Sequence, residues 1–152
     1  MGVLFSGGSR EHADCVTAYG EKIGVAFQLI ADVIDLSPKA AQTGKLAGTD
    51  LRAGVVTMPL LLLRDRAARG DVEAAEFCAR IDAGVARIEA GEDPAILDPE
   101  VIALREHEVT KETEEAARQW AADAVAALAP LPKSAVKSGL ERMAESIVTR
   151  EG

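Results

Sequence analysis

From Ile23 to Leu36 the chain is almost uninterruptedly apolar, and the only polar side chains it admits there are Gln28, Asp32 and Asp35. Their spacing is i, i+4, i+7, so on a helix all three lie on one stripe. Ile23, Val25, Phe27, Leu29, Ile30, Val33, Ile34 and Leu36 cover most of the remaining circumference, the pattern of a helix packed inside a larger helical body. Two carboxylates in such a setting are costly unless a cation, a donor or a water-filled space meets them. The stripe is therefore expected to line a cavity that receives positive charge.

The rest of the chain agrees with a helical body. With 152 residues, 48% of them hydrophobic and only 3% aromatic, one domain spanning 1–152 with a sizeable core is expected, and abundant alanine favours close-packed helices over sheet. A formal charge of −8 argues against binding nucleic acid or an anionic membrane through bulk electrostatics. Cys15 and Cys78 are too few for a disulfide framework and read as buried thiols. No signal peptide is recognisable, and the apolar run Leu60–Leu63 is too brief to span a bilayer. A cytoplasmic protein is expected.

Breakers and caps divide the chain. Val3-Leu4-Phe5 reads as the end of a helix closed by Ser6-Gly7-Gly8-Ser9. A long helix should run from about Ser9 to Leu36, where Ser37-Pro38 stops it. Residues 37–56, carrying Gly44, Gly48 and Gly54, read as the longest irregular stretch. Thr57 is expected to cap the next helix, with Pro59 in its first turn and Gly70 as its stop. Asp71 should cap a helix closing at Gly91, followed by a turn over 92–97. Asp98-Pro99 should open one long helix reaching about Leu128 and burying Val109, Ala116, Trp120 and Ala124. A last helix, Ser134 to about Arg150, shows Val136, Leu140, Met143 and Ile147 at helical spacing. No strand pattern emerges, so the fold class is all-α, a helical bundle.

At this point a resemblance enters. Gly24-x-x-Phe27-Gln28-x-x-x-Asp32-x-x-Asp35, then Gly44-Lys45-x-x-Gly48-x-Asp50-Leu51-Arg52-x-Gly54, then Thr57-x-Pro59-Leu60 resembles the second aspartate-rich region of the trans-isoprenyl (polyprenyl) diphosphate synthases. Leu131-Pro132-x-Ser134, the Leu140 helix and Ile147-Val148-x-Arg150 more loosely resemble that family's terminal helices. The resemblance implies the C-terminal half of an isoprenoid-synthase-type fold. It also implies magnesium-dependent condensation of isopentenyl diphosphate with an allylic diphosphate, in which magnesium neutralises the leaving diphosphate. Carried over residue by residue, Asp32, Asp35 and Asp50 would serve the metal. Phe27 and Gln28 would line the cavity beside the isoprenoid chains, and Lys45 and Arg150 would face diphosphate.

The departures from the family pattern are specific. Ala31 stands where the motif normally has its leading aspartate, Val55 stands where a basic residue is common, and the first aspartate-rich motif has no counterpart in this sequence. A chain with one jaw of the clamp is expected not to elongate prenyl diphosphates alone. The competing reading is a non-catalytic helical partner or degenerate module whose missing motif comes from another chain, and the blandest is a generic helical interaction domain. Half of a helical body should leave apolar faces uncovered on Ile23–Leu36 and Met58–Leu63, so a homo-oligomer is expected. His12 and His107 lack the Glu-x-x-His pattern of a di-iron bundle. Glu106, His107 and Glu108 read as a solvated face, and Lys45 and Arg52 as either anion contacts or ordinary exposed charges.

Overall fold

A computed structural model of the protein describes residues 10–38 and 46–149. Among the described residues every regular element is a helix. These are α1 (Arg10–Leu36), α2 (Thr49–Arg52), α3 (Met58–Ala68), α4 (Val72–Glu89), a 3-10 turn (Pro94–Leu97), α5 (Asp98–Glu106), α6 (Glu108–Ala127) and α7 (Ala135–Thr149). The all-α expectation holds. No helix among the described residues is long and apolar enough to cross a membrane.

Contacts divide the chain into two compact units, one of residues 1–30 with 114–152 and the other of residues 31–113; the helices α1 and α6 each contribute residues to both. In the second unit, α3 packs on α4 and the 3-10 turn lies against α4 and α5. Leu36, Leu51, Leu60, Leu63, Phe77, Ile81, Val101, Leu104 and Val109 form its buried cluster. In the first unit, Tyr19, Ile23 and Ala26 of α1, Ala117, Ala121 and Ala124 of α6, and Ala144 and Ile147 of α7 are buried. The Tyr19 hydroxyl there donates to the Leu140 carbonyl at 2.8 Å.

Local chemistry sets the boundaries. Asp71 caps α4 by accepting from the Ala74 N–H at 3.1 Å, and Gly70 and Gly91 follow helix ends with positive φ, as the sequence suggested. Gly48 leads into α2 at φ 75°, and a Cβ there would come within 2.6 Å of Val101 Cγ2, so backbone and packing both require glycine.

Four expectations fail for physical reasons. The helix expected from Asp98 to Leu128 is two helices, because His107 is extended (φ −73°, ψ 153°). Asp98 opens α5 without capping it and instead pairs with Arg52 at 2.8 Å; the capping aspartate is Asp93, which takes the Ala95 N–H of the 3-10 turn. Along α6 the buried face is Val109, Thr113, Ala117, Ala121 and Ala124, so Val109 and Ala124 lie inside as expected, while Ala116 is half-buried and Trp120 is 37% exposed with Lys22 lying over its ring. In an alanine-rich helix several stripes are equally apolar, and tertiary packing selects one. On α7, Val136 and Met143 face outward while Ala144 joins Ile147 inside.

Candidate functional site

The acid-bearing end of α1 is tied to the N-termini of the helices that follow it. Asp32 is buried, and its Oδ2 accepts the Met58 N–H at 2.9 Å. Met58 opens α3, whose own cap position, Thr57, makes no side-chain cap bond. Asp32 therefore caps α3 from 26 residues away, meeting one of the unpaired N–H groups and the positive end of the helix dipole. The expected Thr57 cap is corrected accordingly: Thr57 is buried at the right place, and a neighbouring carboxylate does the capping.

Asp35, half-buried, does the same for α2. Its Oδ2 accepts the Asp50 N–H at 3.3 Å, and its carbonyl accepts the Gly48 N–H at 2.6 Å. Asp50 is half-buried in the first turn of α2. The positive charge the stripe called for thus comes, among the described contacts, from backbone N–H groups. Gln28 and Phe27 lie on the same helix but are exposed, Phe27 by 51%. Lys45 and Arg150, the two cations expected to face diphosphate, lie outside the described residues.

Two arginines hold the backbone on either side of the 37–46 connection. Arg105 Nε donates to the Leu36 carbonyl at 2.6 Å. Arg52, only 6% exposed, donates from Nε to the Ala47 carbonyl at 2.8 Å and from Nη1 to the Pro94 carbonyl, and pairs with Asp98. Arg52 is thus an internal anchor and not an exposed charge. Its motif neighbours hinted at importance, but nothing local marked it as buried. Arg105 carried no sequence signal, since its partner is a carbonyl 69 residues away.

Beside these anchors lies an open cleft of about 520 Å³ lined by Gly54, Leu60, Arg64, Ile81, Asp82 and Val85. Arg64 and Asp82 pair there at 3.2 Å. The nearby Cys78 thiol is pushed up by burial and by Asp82, which suits a core residue and not a nucleophile.

Asp32, Asp35 and Asp50 are hard oxygen donors of the kind magnesium takes. Among the described residues, however, no three His, Cys, Asp or Glu side chains gather closely enough to hold a metal ion.

Comparison with known proteins identifies the scaffold. The family model for polyprenyl synthetase matches residues 1–91. A nonaprenyl diphosphate synthase of Mycobacterium tuberculosis is 32% identical over 153 residues, covering 100% of this chain and 43% of the relative. Solanesyl diphosphate synthase 1 of Arabidopsis thaliana, a chloroplastic protein, is 30% identical over 92% of this chain and 31% of its own length. A polyprenyl synthase from Caulobacter crescentus, solved with calcium and isoprenyl diphosphate, superposes with a TM-score of 0.78 at 29% identity, over 99% of this chain and 44% of its own. The chain thus spans less than half the length of the relatives it matches. With all-α architecture, an acid stripe on α1 and the glycine-rich connection after it, this chain belongs to the polyprenyl synthetase family.

Proposed function

We propose that this chain forms one carboxylate-bearing wall of a magnesium-dependent prenyltransferase of isoprenoid biosynthesis, which condenses isopentenyl diphosphate with an allylic diphosphate. One observation carries the reading. Asp32 and Asp35 leave a single helix face and are each oriented by a backbone N–H bond, and acids fixed in this way are suited to hold a divalent cation in place. In this reading Asp32, Asp35 and Asp50 are oxygen donors toward magnesium, whose chemistry is to neutralise a leaving diphosphate. The reading assigns Phe27 and Gln28 to the isoprenoid chains, and Lys45 and Arg150 to the diphosphate. The Caulobacter relative was solved with calcium and isoprenyl diphosphate, which supports a hard cation and that ligand class in this reading.

The described residues gather no three-acid cluster and the sequence contains no Asp-Asp pair, which supports the reading that a second wall must be supplied. The chain assayed alone with allylic and isopentenyl diphosphates and magnesium should give no elongated product. Mixed with a segment supplying the first aspartate-rich motif, it should give product, and turnover by the chain alone would overturn the proposal. A second reading, a non-catalytic partner, is favoured specifically by Ala31. It predicts only weak product in the mixture, which Ala31→Asp should raise. The outward Phe27, Val25 and Leu61 support self-association, which sedimentation tests. The proposal places the protein in the cytoplasm, although the Arabidopsis relative is chloroplastic.

A further inference from the structure

The break between α5 and α6 falls in Arg105-Glu106-His107-Glu108-Val109, a run without proline or glycine, so side chains must hold it open. Three bonds do so. Thr110 Oγ1 donates to the Leu104 carbonyl at 2.6 Å, the His107 carbonyl accepts the Thr110 N–H at 3.1 Å, and His107 Nδ1 accepts the Val109 N–H at 3.1 Å. His107 stands immediately before α6, and its ring performs there the task a serine or aspartate side chain performs at an N-cap.

We propose that His107 is a proton-sensitive cap, closing the α5–α6 joint when its ring is neutral and releasing it when the ring is protonated. Nδ1 accepts a hydrogen bond only while it carries no proton, with the ring proton on Nε2. A second proton turns Nδ1 into a donor facing another donor, and it adds positive charge at the positive end of the α6 dipole. Imidazole is the side chain whose ordinary titration falls between pH 5 and 8.

The surroundings give the proton access. His107 borders an open cavity of about 500 Å³ whose charged members are Arg66 on α3, Asp71 and Glu73 at the start of α4, Arg80 on α4, Glu106 on α5 and Glu108 on α6. Four of these are acids and two are guanidiniums. Both guanidiniums are already engaged, Arg66 with Glu108 and Glu112 and Arg80 over the Phe77 ring and toward Glu100. Phe77 also packs against the His107 ring, with centroids 5.9 Å apart.

Release of the joint has consequences on both sides. Glu108, the first residue of α6, carries the bond to Arg66. Arg105, two residues before His107, holds the Leu36 carbonyl at the acid-bearing end of α1. The joint is therefore placed to transmit a protonation event to the backbone beside Asp35.

Amide exchange at Val109, expressed as protection relative to the unstructured rate, tests this between pH 8 and pH 5.5 in the intact chain. The wild type should lose about tenfold protection at Val109 on acidification. His107→Asn, whose amide oxygen accepts at every pH, should keep it, and His107→Ala should be low throughout. Unchanged wild-type protection across the range, or an equal loss in His107→Asn, would overturn the proposal. The wild-type and His107→Asn arms decide it even if His107→Ala fails to fold, and neither depends on the prenyltransferase reading.

Discussion

The two compact units solve the packing problem in opposite ways. Residues 31–113 are built from short pieces: helices of 4, 11 and 9 residues and a four-residue 3-10 turn surround the 18-residue α4. Short helices leave a large share of their N–H and C=O groups without intrahelical partners, and near a core those groups must be met. Asp32, Asp35, Arg52, Arg105 and Thr110 meet them, and leucines of almost no exposure fill the space between. The other unit draws on α1, α6 and α7, helices of 27, 20 and 15 residues, whose backbones are mostly satisfied internally. Among the described residues alanine supplies five of its twelve buried hydrophobic positions, against Ala74 alone in the other unit, and small side chains let long helices approach closely. Polar anchoring follows short elements, and small-residue packing follows long ones.

Substitutions test that contrast, and the largest effect should come from the leucine-filled unit. Leu104→Ala removes a fully buried side chain and should cost about 2–5 kcal/mol in urea unfolding; a cost under about 1 kcal/mol would mean this core is loosely packed. Gly84→Ala is next. A Cβ there would stand 2.3 Å from Leu97 Cδ2, on a side chain with 1% exposure, and overpacking of this kind costs about 1–3 kcal/mol. The size of its Tm drop measures how tightly the 3-10 turn is pressed on α4.

Smaller effects sharpen the account of the anchors. Asp32→Ala should cost about 0.5–2 kcal/mol, the usual worth of an N-cap, whereas Asp32→Asn should keep most of that stability because the amide oxygen still accepts. If Asn proves as damaging as Ala, the carboxylate's charge and not its hydrogen bond carries the contribution. The smallest change has the opposite sign. Gly139→Ala on α7 meets nothing within 4 Å and should raise stability by about 0.5–1 kcal/mol through helix propensity; a loss would show that the long-helix unit is tighter there than its contacts indicate.

Much of the fold was legible. Ser37-Pro38, the Asp71 cap and Gly70 and Gly91 carry their instruction in their own backbone preferences, and the helices end where they direct. The α5–α6 break was not legible, because no residue between Arg105 and Val109 resists helix and the interruption comes from side-chain bonds that form only in the folded chain. For the candidate site, the i, i+4, i+7 spacing exposed the two acids and their need for positive partners. It did not reveal that Gln28 would face outward, nor that the partners would be the N–H groups of Asp50 and Met58, 15 and 26 residues further on.

The amino-acid order alone settled helix content, most element limits and the family, since each depends on local periodicity, breakers or motif spacing. Which face of an alanine-rich helix turned inward, which carboxylate capped which helix, and which arginine was buried waited on assembly. Those outcomes depend on groups far apart in the chain, and only the packed structure brings a charge to the backbone dipole that stabilises it.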